Sequence, residues 1–289
     1  MSISSRRSFL KTTGAFAAVA SAGIPHRLAA QSQEMPIGLE LYSVRELLPK
    51  DFDGTLAQVR AAGYTIVEAA GFYNRSATDF RAAMDKAGLR CISAHYTLSL
   101  LESQLDSLID YAHTLGLNYL ICSSSGGMHR DPAAKGPQTL DDWRWIASEF
   151  NRIGEKVKSA GMTLGVHNHV PEFTVFDGTI VYNELLRLTD PKLVVFEMDA
   201  GWVIAAGYNP IDYLKQSPER FPLMHIKEVL RGPDGKFHSK VVGQGMLNYA
   251  PILSAATGLK QYFVEQEEFE MDPMQELRIE ADYMRSLKV

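Results

Sequence analysis

The sequence lacks an excess of positive charge, a long hydrophobic run and a set of cysteines. Its 289 residues include 29 basic and 34 acidic side chains, a net charge of −5, so nothing in it attracts nucleic acid electrostatically. The longest apolar run lies near the N-terminus and is shorter than the roughly 20 residues that span a membrane. With 46% hydrophobic and 22% charged residues, the composition is typical of a globular protein and argues against disorder and collagen.

Cysteine is scarce, because Cys91 and Cys122 are the only two. Two cysteines cannot build the framework of a small disulfide-stapled protein. Both lie in apolar runs typical of buried strands. A disulfide between them requires Cα atoms that lie close together, and two buried free thiols are the alternative.

The first 30 residues differ in composition from the rest of the chain. Residues 5–11 read SRRSFLK, and a mildly apolar stretch rich in alanine and glycine follows at 12–22. This pattern resembles a twin-arginine export signal, with small-residue cleavage sites at 20–22 or 28–30. It predicts a periplasmic or other extracytoplasmic location. Removal of the signal would leave 25 basic and 34 acidic residues, a net charge of −9. The alternatives are a basic disordered N-terminus and a retained signal that acts as an anchor.

Short apolar runs alternate with amphipathic stretches along the rest of the chain. Helical spacing is clearest over Leu98–Leu115 and Asp141–Val157. This alternation is typical of a parallel sheet covered by helices. The eight predicted strands are Ile37–Tyr42, Tyr64–Ala70, Arg90–His95, Tyr119–Ser123, Thr163–Asn168, Leu193–Met198, Leu223–Lys227 and Gln261–Glu265.

Glycine separates a helical stretch from the next strand at five junctions. Glycine ends helices readily because it adopts the left-handed conformation without a Cβ penalty. Eight such units predict a single α/β domain, a (β/α)8 TIM barrel over residues 36–289. A doubly wound open sheet is the alternative, but no glycine-rich phosphate-binding turn follows the first strand. The junction glycines are Gly63, Gly88, Gly116, Gly161 and Gly258.

Polar side chains mark the predicted strand ends, where TIM barrels place their active sites. Asp199, His225 and Glu265 end three successive strands and fit best as ligands of a divalent ion: Mn²⁺, Zn²⁺, Co²⁺ or Mg²⁺. The preceding strand offers Glu172 or His167 as a fourth ligand. We favour Glu172, because a carboxylate balances the dication better. The other marked ends carry Glu40, Glu68, His95, Ser123 to Ser125, and His167 to His169.

Five short motifs occur in a recognisable order: GLELYSVR at 38–45, VHNHVPEF at 166–173, MDAGW at 198–202, HIKE at 225–228 and VGQG at 242–245. Together they resemble the sugar phosphate isomerase/epimerase family, whose members are xylose isomerase-like TIM barrels. The resemblance implies a divalent metal ion held by Glu, Asp, His and Glu, and Asp199, His225 and Glu265 match the last three. Relatives often carry Glu-Asn-His where this chain has His167-Asn168-His169.

The resemblance implies an enzyme that removes a proton beside a sugar carbonyl through an enediolate, as an isomerase or epimerase. His167 or His169 is the expected base, and Lys227 helps to hold substrate oxygens or pairs with Glu228 or Glu265. Glu40, Glu68, His95 and Trp202 are expected to contact the substrate.

The substrate is expected to be a non-phosphorylated sugar or keto-sugar, since export favours neutral sugars. A 3-keto-glycoside lyase or hydrolase, or a dehydratase, is the alternative, and a non-catalytic sugar-binding barrel is another. A metal-dependent nuclease is disfavoured by the acidic charge. A homo-oligomer is possible, but no interface can be read from the sequence.

Overall fold

The computed structural model describes residues 35–125 and 127–288, and within them eight strands close into a barrel. Each strand lies parallel to its neighbours in chain order, and the last strand pairs with the first. The predicted (β/α)8 barrel is confirmed, and the doubly wound open sheet is wrong. The strands are β1 (Gly38–Glu40), β2 (Ile66–Ala69), β3 (Arg90–Thr97), β4 (Tyr119–Ser124), β5 (Thr163–His167), β6 (Val194–Asp199), β7 (Leu223–Ile226) and β8 (Gln261–Val264).

Helices surround the barrel and connect its strands. Two small antiparallel hairpins follow the carboxyl ends of strands, Val175–Phe176 with Thr179–Ile180 after β5, and Glu228–Arg231 with Phe237–Lys240 after β7. No helix within the described ranges is both long and apolar enough to cross a membrane. The helices are α1 (Phe52–Ala62), α2 (Ala77–Ala87), α3 (Leu98–Leu115), α4 (Leu140–Ser159), α5 (Val181–Leu188), α6 (Ala200–Ala205), α7 (Pro210–Gln216), α8 (Tyr249–Ala255) and α9 (Pro273–Ser286).

Local capping determines where the two predicted helices begin. Helix α3 covers the predicted Leu98–Leu115, and the Thr97 side chain accepts a hydrogen bond from the Leu100 N–H. Helix α4 extends the predicted Asp141–Val157 at both ends. It starts at Leu140 because Thr139 and Asp142 form a reciprocal capping box.

Several predicted strands are too long, and β1 shows the physical reason. Its predicted end at Tyr42 is wrong, because the chain turns into a short 3-10 helix over Leu41–Val44. Glu40 causes this turn, since its Oε1 accepts the Tyr42 N–H at 3.1 Å. The acidic side chain that marks the strand end therefore also ends the strand.

Four of the five junction glycines act as predicted. Gly63, Gly88, Gly116 and Gly161 have φ angles of 113°, 70°, 75° and 79°. The prediction is wrong for Gly258, which is absent from the left-handed region. Its small size is needed instead, because an added Cβ would lie 2.0 Å from the Pro218 carbonyl oxygen.

Apolar side chains fill the barrel interior below its mouth. They are Ile66, Ile92, Ile121, Leu223 and Phe263. Gly165 makes room for this layer, since an added Cβ would approach the Ile121 Cδ1 to 2.5 Å. The polar strand ends lie beyond this layer, and strand register sets them side by side: Glu40 opposite Glu68, His167 opposite Glu197 and Asp199 opposite His225.

The two cysteines are free and buried, which matches the alternative without a disulfide. Burial raises the pKa of both thiols, that of Cys122 to about 12. Both thiols are therefore protonated and inert at neutral pH. The predicted export signal lies outside the described residues, so the division of the chain at residue 30 stays a prediction.

Candidate metal centre and active site

The carboxyl ends of β5 to β8 bring four potential ligands together. His167 and Asp199 are the last residues of β5 and β6, His225 is in β7, and Glu265 directly follows β8. One ligand atom from each lies within 4.8 Å of the others, and all four side chains are buried. His225 Nδ1 is 2.9 Å from Glu265 Oε2, and His167 Nε2 is 4.0 Å from Asp199 Oδ2. We call these four residues the ligand group.

Backbone and side-chain contacts hold Asp199 in place. Its Oδ1 accepts the Trp202 N–H at 2.9 Å at the start of α6. Its own N–H donates to Asn168 Oδ1 at 3.1 Å, and the Asn168 amide donates back to its carbonyl oxygen at 3.2 Å. Asp199 Oδ2 is buried without a hydrogen-bond partner. Burial raises the pKa of Asp199 to about 6, although Lys227 opposes the shift.

Glu172 is not part of the ligand group, whereas His167, the alternative fourth ligand, is. Glu172 lies in a short turn over Pro171–Phe173, and its Oε2 accepts the His169 N–H at 2.8 Å. Its side chain contributes to the cavity at the barrel mouth. Burial raises the pKa of Glu172 to about 7, so this carboxyl group titrates near neutral pH.

Glu197 is a buried carboxylate that the sequence interpretation missed. It lies two residues before Asp199 in β6, and side chains two apart point to the same side of a strand. The two-residue spacing from Asp199 could have revealed Glu197 from the sequence. An acid at that position of a buried strand faces the barrel interior, as Asp199 does. Its Oε2 is 2.9 Å from His95 Nε2 and 3.2 Å from both His167 Nδ1 and His225 Nε2.

Glu40, Glu68 and His95 form a second cluster of potential ligands with His225, with one ligand atom of each within 4.8 Å of the others. Glu68 Oε1 is 2.7 Å from His225 Nε2 and 3.0 Å from His95 Nε2. Glu40 and Glu68 are fully buried, and each has one oxygen without a hydrogen-bond partner. Only His95 of the three lines the cavity, so the structure does not expose Glu40 and Glu68 to a substrate there.

Lys227 follows β7, not within it as predicted, and its ammonium lies among carboxylates. Its Nζ is 2.8 Å from Glu265 Oε2 and 3.5 Å from Asp199 Oδ2, and it also donates to Glu267. It contacts the face of Trp202, 4.9 Å from the ring centroid. Burial disfavours the ammonium, but Glu265, Asp199 and Glu267 outweigh it and raise the pKa of Lys227. The predicted pairing with Glu265 is present, and Glu228 instead accepts backbone N–H groups.

The pKa values of the four imidazoles at the mouth are shifted in opposite directions. Burial lowers the pKa of His167 well below its usual range and that of His169 to about 4. Burial also opposes charge on His95 and His225, but neighbouring carboxylates outweigh it and raise both pKa values. His169 is therefore neutral at pH 7 and able to accept a proton.

A cavity of about 800 Å³ opens over this cluster. Trp202 and Tyr42 supply aromatic surface to its wall, and no lysine or arginine is present among the described residues that line it. The size and lining suit a polar, uncharged small molecule. The potentially catalytic groups that line it are His95, His167, His169, Glu172, Glu265 and Glu267.

Residues 56–287 match the family model described as xylose isomerase-like TIM barrel, and the chain belongs to this family. The chain is 26% identical over 231 residues to an inosose dehydratase of Geobacillus kaustophilus, covering 70% of this chain and 74% of that enzyme. A structure of a sugar phosphate isomerase/epimerase from Parabacteroides distasonis is 26% identical, with a TM-score of 0.74, covering 88% of this chain and 95% of that one.

Two more distant structures share the fold. One is the 3-keto-D-glucoside 4-epimerase of E. coli, at 15% identity and a TM-score of 0.66, covering 88% of this chain and all of that one. The other is the IolI protein with a bound zinc atom, at 14% identity and a TM-score of 0.66, covering 87% of this chain and 96% of that one. These identities support the fold alone.

Proposed function

We propose that this chain is a divalent-metal-dependent enzyme that isomerises or epimerises a non-phosphorylated sugar or keto-sugar through an enediolate. The observation that carries the proposal is the ligand group, which gathers two carboxylates and two imidazoles beneath a polar cavity. The names of the relatives support the coarser statement, an enzyme that acts on a sugar-like substrate.

The ligand group fits a divalent ion by its chemistry and charge. Two oxygen and two nitrogen donors suit Mn²⁺, Zn²⁺ or Co²⁺, and less well Mg²⁺, which prefers oxygen. Asp199 Oδ2 is a buried donor without a hydrogen-bond partner. Glu68, Glu197, Asp199 and Glu265 are buried acidic groups around this site, and a bound dication would be attracted to them.

A divalent ion in this group supplies Lewis-acid stabilisation of the negative charge that develops on neighbouring sugar oxygens. The chain itself supplies the groups that move the proton. Glu172 has a pKa near neutral pH, which suits a general base, and its carboxylate faces the cavity. The neutral His169 is the other candidate base, since His167 belongs to the ligand group. Trp202 lines the mouth, whereas Lys227 is buried outside the cavity wall and contacts Glu265 and Asp199 instead of the substrate.

A neutral substrate is favoured by the charge of the cavity wall. Phosphate-binding barrels offer cations or backbone amides to the phosphate. The wall here carries Glu172, Glu265 and Glu267 without a described basic side chain except histidine. A sugar phosphate would therefore be repelled, which supports a neutral sugar.

A lyase, hydrolase or dehydratase is the second candidate, because β-elimination starts with the same proton abstraction. The printed names inosose dehydratase and 3-keto-D-glucoside 4-epimerase favour cyclic keto-polyols or 3-keto-glycosides as substrates to test. A non-catalytic sugar-binding barrel is the third candidate, and binding without turnover at any metal ion would favour it.

The test combines metal content with solvent exchange. We expect the parent to bind about one equivalent of metal ion per ligand group, and the Asp199→Asn variant to lose it. With that ion, the parent should exchange deuterium from D₂O into a keto-sugar or 3-keto-glycoside. Asp106→Asn is the control, because Asp106 contacts Lys156 at the surface. Metal binding without exchange or turnover across the panel would refute the enediolate proposal.

We further propose export by the twin-arginine pathway, supported by the composition of residues 1–30. Replacing Arg6 and Arg7 together by lysine should retain the protein in the cytoplasm, as measured by cell fractionation. Replacing Lys11 by arginine keeps the charge and serves as the control. Equal periplasmic amounts for both variants would contradict the proposal.

A further inference from the structure

Glu197 lies beneath the ligand group and contacts both of its imidazoles through a single oxygen. Its Oε2 is 3.2 Å from His167 Nδ1 and 3.2 Å from His225 Nε2. The side chain is fully buried, and its other oxygen, Oε1, has no hydrogen-bond partner. Strand register places Glu197 directly opposite His167, so the first contact is built into the sheet.

These contacts determine which imidazole nitrogens face the other two members of the ligand group. A carboxylate oxygen accepts hydrogen bonds, so Glu197 Oε2 is placed to accept an N–H from each ring. It faces His167 Nδ1 and His225 Nε2, so His167 Nε2 and His225 Nδ1 are turned toward the rest of the ligand group. These two nitrogens are the ones that face Asp199 Oδ2 and Glu265 Oε2.

We propose that Glu197 is a positioning residue that fixes the orientation of both imidazole ligands. The inference rests on the proposed metal-dependent function and assigns a role to a residue outside the ligand group. Carboxylates that accept the second N–H of a metal-bound histidine orient the ring and raise its basicity. Glu68 also accepts a hydrogen bond from His225 Nε2, at 2.7 Å, but its other imidazole contact is with His95 and not with His167. Within the described residues, only Glu197 joins the two imidazoles.

Glu197→Gln tests the proposal, because glutamine keeps the shape but loses the charge and one acceptor. We expect its dissociation constant for Mn²⁺, measured by competition with a chelator, to rise about 10–100-fold. Glu40→Gln is the matched control. Glu40 is an equally buried carboxyl group in the same mouth and lies within 4.8 Å of ligand atoms of His95 and His225, but its hydrogen bond is to the Tyr42 N–H and not to an imidazole. Its effect on Mn²⁺ affinity should be much smaller.

Spectroscopy separates a positioning role from a general structural one. We expect the visible spectrum of the Co²⁺-loaded protein to change in Glu197→Gln and to stay unchanged in Glu40→Gln. Circular dichroism checks that both variants fold. If Glu197→Gln does not fold, Glu197→Asp replaces it. Aspartate keeps the charge but is too short for both contacts, so the same weakening and spectral change are expected.

The outcomes distinguish this inference from the proposed function. Equal Mn²⁺ affinity and equal Co²⁺ spectra in parent and Glu197 variants overturn the positioning role alone. Equal weakening by Glu40→Gln also overturns it, because the effect would then not depend on hydrogen bonds to the two imidazole ligands. Two bound ions in the parent and one in Glu197→Gln would make Glu197 a ligand, which contradicts the proposal. A parent that binds no ion overturns both the proposed function and this inference.

Discussion

Side chains of the same type have different pKa values at the barrel mouth because their contacts differ. His167 and His169 face burial and neighbouring cations, which lower their pKa values, whereas carboxylates keep the pKa values of His95 and His225 high. Among the acids, burial raises the pKa of Glu172, while Lys227 and His225 overcome burial and lower that of Glu265. Groups with raised and lowered pKa values therefore lie within one cluster.

Glu172 gives a prediction on pH dependence. The base must be ionised, and its pKa is raised to about 7, so kcat/KM should increase as pH rises through 7. Below pH 7, kcat/KM should fall about tenfold per pH unit. Glu172→Gln should lower kcat/KM and abolish this limb, whereas Glu155→Gln on the exposed side of α4 should keep it. A limb near pH 4 that survives Glu172→Gln would assign the base to His169.

Lys227 gives a prediction on stability and metal binding. Replacing it by methionine leaves Glu265 and Asp199 without their buried ammonium partner. We expect the metal-free variant to lose about 3–5 kcal/mol of unfolding free energy, as measured by urea denaturation. Added Mn²⁺ should raise the Tm of the variant more than that of the parent, because the ion replaces the lost positive charge.

Lys156→Met is the control for this prediction, since Lys156 forms an exposed ion pair with Asp106. Exposed pairs contribute about 0–1 kcal/mol, so little change is expected. A Lys227→Met protein as stable as the parent without metal would show that the ammonium does not balance these carboxylates.

The sequence predicted the residues that end the strands better than their roles. Asp199, His225 and Glu265 could be found because each ends an apolar run. Glu197 was missed because it lies within such a run, and only the two-residue period connects it to Asp199. The choice between Glu172 and His167 depends on how the chain turns after β5. The short turn over Pro171–Phe173 directs Glu172 back to the His169 backbone, and no spacing rule encodes that contact.

At the scale of elements, periodicity and capping predicted the helices, while strand ends depended on side-chain contacts. The α3 prediction was correct because its apolar spacing and its Thr97 cap agree. The β1 prediction failed because Glu40 draws the backbone into a turn. The prediction for Gly258 failed for a different reason. Its neighbour Pro218 is distant in sequence, so no local pattern shows that the two residues are in contact.

Replacing a junction glycine by alanine should lower the free energy of unfolding by different amounts at two positions. Gly258→Ala should destabilise by about 2–4 kcal/mol, because its Cβ would lie 2.0 Å from the Pro218 carbonyl oxygen and force a backbone shift. Gly161→Ala should cost about 1 kcal/mol, because its φ is 79° but no atom lies within 4 Å of the added Cβ.

Urea denaturation of both variants measures these free energies of unfolding. Gly161→Asn is a further control, since asparagine tolerates the left-handed conformation and should recover part of the loss. Equal costs at the two positions would contradict the steric explanation for Gly258.

At the scale of the whole molecule, the fold accumulates negative charge at one end of the barrel. Six acidic side chains at the mouth are almost completely buried: Glu40, Glu68, Glu172, Glu197, Asp199 and Glu265. Their basic partners are Lys227 and the imidazoles of His95 and His225, whose pKa values neighbouring carboxylates raise. Burial keeps the pKa of Glu40 and Asp199 high, so part of this charge is avoided by protonation. The remaining carboxylates attract cations, so a bound dication is expected to stabilise this end of the barrel.

Metal removal should therefore destabilise the whole barrel. We expect a chelator to lower the Tm of the parent and added Mn²⁺ to restore it, since a ligand at about 100 times its dissociation constant adds about 2.7 kcal/mol. The Asp199→Asn variant should show no such dependence. Calorimetry with and without chelator measures the effect, and a metal-independent Tm in the parent would contradict it.

The closure of the barrel also sets when the site can form during synthesis. All four residues of the ligand group lie in the second half of the chain, and Glu265 directly follows β8, the strand that pairs with β1. A nascent chain that ends before β8 has neither a closed barrel nor its fourth ligand. The proposed metal ion can therefore meet a complete site only after residue 265 has left the ribosome, at the stage when the barrel can close.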